Sequence, residues 1–92
     1  MPTVLINIGY NNVVAADRVV TIIGHNAAPA KRLRDEAKEA NRLIDACQGH
    51  RTRSLIVTTS NHIILTAVEV KTLTSRFNSA YQKYHSLVER QA

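Results

Sequence analysis

Tryptophan is missing from this chain of 92 residues; cysteine, methionine and phenylalanine occur once each, proline twice and glycine three times. Each scarcity excludes something. The lone Cys47 has no intrachain partner, so no disulfide framework supports the fold. Gly9, Gly24 and Gly49 stand apart from one another, which rules out a glycine-rich loop of the kind that cradles phosphates. Aromatic residues make up 4% of the chain. Tyr10 lies far in sequence from Phe77, Tyr81 and Tyr84, so there is no interleaving of aromatic and basic residues such as marks single-strand stacking sites. No apolar run approaches the ~18 residues that span a bilayer. The apolar residues Val4 to Ile8 are interrupted by Asn7 and follow no basic segment, unlike a signal peptide. The expected location is cytoplasmic, with no membrane partner.

Acidic residues are also few. Seven carboxylates face twelve Lys and Arg, for a formal net charge of +5. A surplus of that size on a small protein attracts polyanions, nucleic acid foremost, without saying which one. The hydrophobic share of 45% and charged share of 21% are those of a globular domain. One domain, residues 1–92, is the expected organisation, with a core over about 4–77. A chain this short buries only roughly 60–65% of its unfolded surface. Its marginal core favours association with further copies.

Residues 4–8 read as a short strand, mostly apolar and partly β-branched. Residues 9–12 read as a turn, because Gly and Asn tolerate positive φ. Residues 13–16 and 18–23 follow as strand material, with a bend at Asp17 and a turn over residues 24–26. Pro29 suits a first helical turn. Ala30, Leu33, Ala37, Ala40 and Ile44 then recur at spacings of three and four, so a helix is expected over about 28–42. Residues 43–47 lead into a polar link. Residues 54–59 and 62–68 read as paired strands joined by Ser60 and Asn61. Val70, Leu73, Phe77, Ala80, Tyr84 and Leu87 predict a second helix from near Glu69 to about 88, with fraying from Glu89 onward. The sum is an α+β domain with a mostly antiparallel sheet and two helices.

Catalysis finds no support in these residues. Cys47 and His50 supply two potential ligands where a structural zinc site needs four, so no metal is expected. Ser60, His62 and Asp45 are the residue types of a nucleophilic triad, but no nucleophile elbow surrounds Ser60. Neither a cofactor nor a small-molecule substrate is implied.

The basic residues form the one constellation of note. Residues 28–53 hold seven Lys or Arg against four acids. Much of that excess lies in His50, Arg51 and Arg53, where the only carboxylate within five residues is Asp45. Arginine is the side chain best shaped to clamp a phosphate or enter a narrow minor groove. Gln48 and Thr52 could add neutral donors. Duplex DNA gripped through its phosphates fits better than a stacked single strand.

Several segments together resemble one family. Ile6 to Gly9, Asn12 to Val14, Arg18 with Val19, Ala28 to Leu33, Leu43 to Ala46, Gly49 to Arg53 and His62 to Ala67 follow one another in the order and spacing of the extracellular matrix regulatory protein A (RemA) family of bacteria. The likeness runs from about Leu5 to Arg76, and Gly49 to Arg53 after Leu43 to Ala46 is its most specific part. The resemblance implies a DNA-binding transcriptional regulator of biofilm matrix genes that assembles into closed rings of identical protomers. It places DNA-contacting arginines at Arg18 and Arg51, and a contact position usually held by arginine at His50. The family's functionally important proline falls on Pro29, while Lys31, Arg32 and Arg53 match basic positions of the motif. The chain departs from the pattern at His50, whose imidazole replaces a permanent charge with one that titrates. Weaker or more pH-sensitive DNA binding is the expectation, and equal affinity at pH 6 and pH 8 would refute its pH part. Residues 60–62 lack an acid common in the family, Val70 and Lys71 replace a Pro-Glu pair, and the resemblance stops before Asn78. Two other classes stay open: a ring-forming scaffold whose arginines serve subunit contacts, and an RNA-binding module.

Overall fold

The computed structural model describes the backbone of residues 4–91 and the side chains of residues 4–85. Strands β1 (Leu5–Gly9) and β2 (Asn12–Ala15) form an antiparallel hairpin, followed by a 3-10 turn, Ala16–Arg18. Strand β3 (Val19–Gly24), helix α1 (Ala30–Glu39), strand β4 (Leu43–Asp45), strands β5 (Ser54–Thr58) and β6 (Ile63–Thr66), and helix α2 (Val70–Gln91) complete the order. Four strands make one sheet in the order β3-β5-β6-β4. The β3–β5 and β5–β6 pairs are antiparallel, whereas β4 lies parallel to β6. The chain is thus a small α+β domain with two helices, as its pattern predicts.

Alternation along the central strands sorts the core onto two faces. Leu55, Ile63 and Leu65 point to the side covered by α1, where they meet Ala30, Ala37 and Cys47. Ile56 and Ile64 point to the other side, against Ile6, Ile8 and Val14 of the hairpin and Leu73 of α2. Both faces of β6 are buried, which is why its sequence is a continuous apolar run rather than an alternating one. Two buried hydroxyls tie the layers together. Thr66 Oγ1 donates to the Ile8 carbonyl at 2.7 Å, and Ser54 Oγ donates to the Val68 carbonyl at 2.7 Å.

Three expectations need correction. Helix α1 is shorter than 28–42, because Asn41 adopts φ +58° and closes a Schellman motif. The Arg42 amide reaches the Ala37 carbonyl (2.8 Å), and that of Asn41 reaches Lys38 (3.3 Å). The residues after this stop are strand β4, not helix tail or polar link, and Ile44 is exposed on it instead of extending the helical stripe. Ala40 is likewise exposed. Finally, the β5–β6 connection spans residues 59–62 rather than 60–61. Thr58 Oγ1 accepts the His62 amide (3.1 Å), and Asn61 takes the left-handed conformation.

In α2, Leu73 is buried and Val70, Phe77, Ala80 and Tyr84 are half-buried, in line with the apolar stripe. The helix continues to Gln91. The Leu87 and Val88 side chains and Ala92 lie outside the described residues, as does any fraying there. No helix among the described residues is long and apolar enough to cross a membrane.

Candidate functional site

Three connections converge at one end of the four-stranded sheet and build a basic rim. The first is the β1–β2 turn, where Gly9, Tyr10 and Asn11 have φ of +98°, +50° and +64°. Gly9 is required there twice over. Its φ suits glycine, and a Cβ would stand 3.0 Å from Val68 Cγ2. Asn12 Nδ2 donates to the Gly9 and Tyr10 carbonyls (both 3.1 Å) and reaches across to Ala46 (3.3 Å).

That last bond fastens the turn to the second connection, residues 46–53. Asp45 Oδ1 accepts the Cys47 amide at 2.9 Å, and the His50 amide closes a turn onto the Cys47 carbonyl at 2.9 Å. Gln48 and Gly49 supply the positive φ values this turn needs. Cys47 is buried, with its sulfur 3.4 Å from Thr52 Oγ1. Burial pushes its thiol pKa up, opposed by the Thr52 hydrogen bond and reinforced by the Asp45 carboxylate. The anchored thiol leaves His50, Arg51 and Arg53 facing outward, all exposed.

The third connection joins β3 to α1. The His25 amide donates to the Arg53 carbonyl (3.0 Å), and the His25 ring donates to the same oxygen from Nδ1 (3.1 Å). Pro29 is the N-cap of α1 instead of its first helical residue, and its carbonyl accepts the Leu33 amide at 3.0 Å. Helix α1 therefore begins at the rim, with Lys31 and Arg32 exposed on its opening turn. Those two share a shallow groove with Asp35, Glu36 and Glu39, so their charge is partly offset by neighbours. Arg51 and Arg53 stand in a loop free of such acids in sequence.

Six of the seven residues singled out in the sequence thus gather at one end; Arg18 does not. Its carbonyl accepts the Thr59 amide (2.8 Å) at the far end of β5, whereas Arg53 precedes the near end. At ~3.4 Å per residue the end residues of β5, four steps apart, stand roughly 14 Å from one another. Two other arginines are spent on the fold. Arg42 Nη1 donates to the Asn61 carbonyl (2.7 Å), and Arg76 Nη1 to that of Asn7 (2.9 Å).

One rim residue was not legible as such in the sequence. Tyr10, 40 positions before His50, lies against it as a near-parallel stack, with ring centroids 4.3 Å apart and planes 10° apart. The nearest sequence signal is the turn composition around Gly9 and Asn12, which places a turn but not its neighbour. Elsewhere, Ser60 Oγ lies 2.7 Å from His62 Nδ1, but Asp45 sits at the other end of the sheet, so the triad types are not assembled. Among the described residues no three His, Cys, Asp or Glu side chains gather into a metal-binding group.

The structure is thus a small α+β domain that presents outward arginines on connected loops. The particular family follows from comparison: the profile of the "Extracellular matrix regulatory protein A-like" (RemA-like) family matches residues 5–77, and the chain belongs to that family. It is 46% identical over 86 residues to a "Putative regulatory protein" of Fervidobacterium nodosum, covering 94% of this chain and 92% of that one. A protein of the same name from Thermotoga maritima is 55% identical over 73 residues, 79% of each chain. Another from Oleidesulfovibrio alaskensis is 52% identical over 73 residues, 79% of this chain and 87% of its own. Family and relatives alike point to a regulatory protein.

Proposed function

We propose that this protein is a DNA-binding transcriptional regulator that grips the phosphate backbone of duplex DNA through arginines repeated around a homo-oligomeric ring. The observation that carries this reading is the basic rim, where Arg51 and Arg53 are exposed beside His50 and the start of α1. Arg51 and Arg18 are the principal phosphate contacts; Arg53, Lys31, Arg32 and His50 add to them, and Pro29 sets the approach of α1. The biofilm matrix genes implied by the family resemblance are the proposed targets.

The separation of Arg18 from the rim supports assembly. One copy carries its cations at opposite ends, and copies that follow one another head to tail bring the two ends next to each other. Exposed Leu5, Val13, Val20 and Ile44 offer apolar surface for such contacts. A ring multiplies a weak site, so affinity grows with the length of DNA engaged.

The test is fluorescence anisotropy with a long labelled duplex across a salt series, with light scattering on the same samples. Removing one phosphate-binding cation flattens the slope of log K against log salt by about 0.9. Arg51→Ala and Arg18→Ala should each flatten it while leaving the oligomer intact. Failure of the wild type to bind at low salt would overturn the DNA reading in favour of a scaffold.

A further inference from the structure

We propose that Tyr10 is a positioning residue of the basic rim, holding the His50 imidazole by stacking so that its edge faces the phosphate backbone beside Arg51. This rests on the DNA-binding reading above and adds to it a residue that carries no charge.

Tyr10 is 45% exposed, sits at the tip of a turn and holds a backbone conformation unusual for an aromatic residue, at φ +50°. A surface tyrosine placed there for packing alone would lie on the core. This one lies on another exposed ring, in near-parallel contact. His50 has little else to fix it. It follows Gly49, at which an added Cβ would meet nothing within 4 Å, so the loop around it is open. The turn that carries Tyr10 is itself anchored to this loop by the Asn12 to Ala46 hydrogen bond. Two segments distant in sequence are therefore bound together for a contact that buries little and orders one basic side chain. A stacked ring leaves its edge free, where an N–H can donate to a phosphate oxygen without the ring first losing rotational freedom. The aromatic face would hold a guanidinium at position 50 equally well, since arginine stacks on such faces.

The experiment pairs an NMR readout of the free protein with DNA binding. Tyr10→Asn removes the ring while suiting the left-handed conformation, and Tyr10→Phe keeps the ring without its hydroxyl. In the free wild type the His50 ring protons should be shifted upfield by the Tyr10 ring current. Tyr10→Phe should retain that shift and Tyr10→Asn abolish it. On a duplex DNA, Tyr10→Asn should weaken binding about two- to tenfold, the worth of one stacked pair. His50→Ala should cost as much, and the double variant no more than either alone. His50→Arg should tighten binding more when Tyr10 is present than in Tyr10→Asn. Unchanged His50 signals in Tyr10→Asn, or wild-type affinity in that variant once the shift is gone, would overturn the positioning role while DNA binding stood. Absence of wild-type binding at low salt would instead remove the DNA reading, and this inference with it.

Discussion

Replacing Thr66 by valine should destabilise the protein far more than the loss of one surface hydroxyl could. Thr66 is fully buried, and its Oγ1 has two partners. It donates to the Ile8 carbonyl at 2.7 Å and accepts the Val68 amide at 3.1 Å. Valine has nearly the same shape, so the change leaves packing intact and strips both partners of their hydrogen bond. An unsatisfied buried group costs about 1–3 kcal/mol. Ile8 is buried while Val68 is half-buried and can recover some hydration, so the expected total is about 2–4 kcal/mol. For a domain of this size each kcal/mol moves Tm by roughly 4–8 °C, which puts the loss at about 8–32 °C. Thermal melts at one fixed protein concentration are the assay, because the proposed assembly would make Tm depend on concentration. Thr66→Ser, which keeps the hydroxyl, is the control and should retain most of the stability. A valine variant within about 0.5 kcal/mol of wild type would show that the hairpin is not held to the sheet through this hydroxyl.

Other outcomes follow from the same contacts. Gly9→Ala should cost about 1–3 kcal/mol, since the new Cβ meets Val68 and the backbone is left-handed, and should lower DNA affinity by displacing the Tyr10 turn; urea titration and anisotropy check the two effects. Arg42→Ala should lower stability by about 1 kcal/mol through loss of the bond to Asn61 and leave the DNA salt slope unchanged, the converse of Arg51→Ala. Cys47 should resist alkylation in the native protein and react readily in urea, as followed by mass spectrometry. Its folded pKa lies above its unfolded value, so its contribution is complete below the unfolded thiol pKa and is lost as pH rises above it, toward the folded value. Stability measured in denaturant should therefore decline on the alkaline side, and a Cys47→Ala variant should lack that part of the decline.

Much of the fold is written in local pattern. The β5 and β6 strands are apolar runs bounded by polar residues, α2 has its stripe of threes and fours, and Gly9 with Asn12 mark the first turn. What local pattern could not give is β4. Leu43, Ile44 and Asp45 are three residues at the end of a helical stripe, and they become a strand only because β6, twenty positions on, offers a parallel edge. The signal that could have stopped the helix in time was Asn41, a residue that tolerates the left-handed conformation where α1 ends. In the site, charge made the 50–53 loop legible, since no nearby acid could neutralise it. The stacking of Tyr10 on His50 was hidden because it depends on two turns meeting in space, and so was the distance of Arg18, which depends on the direction of β5.

The way the rim is held also bears on what it can do. Its fixing bonds run to backbone atoms: Asn12 to Ala46, the Cys47 amide to Asp45, and His25 to the Arg53 carbonyl. None of these bonds uses a guanidinium, whereas Arg42 and Arg76 do brace the fold by donating to carbonyls outside the rim. Loop geometry is thereby set by neutral hydrogen bonds and one carboxylate that accepts the Cys47 amide. A loop ordered in this way need not spend its cations on its own folding. On the proposed DNA-binding reading the backbone is arranged before the duplex arrives, and the duplex has only to order the exposed ends of the arginine side chains. For the few contacts per copy that the proposed ring would repeat, that saving decides whether repetition can add up to useful affinity.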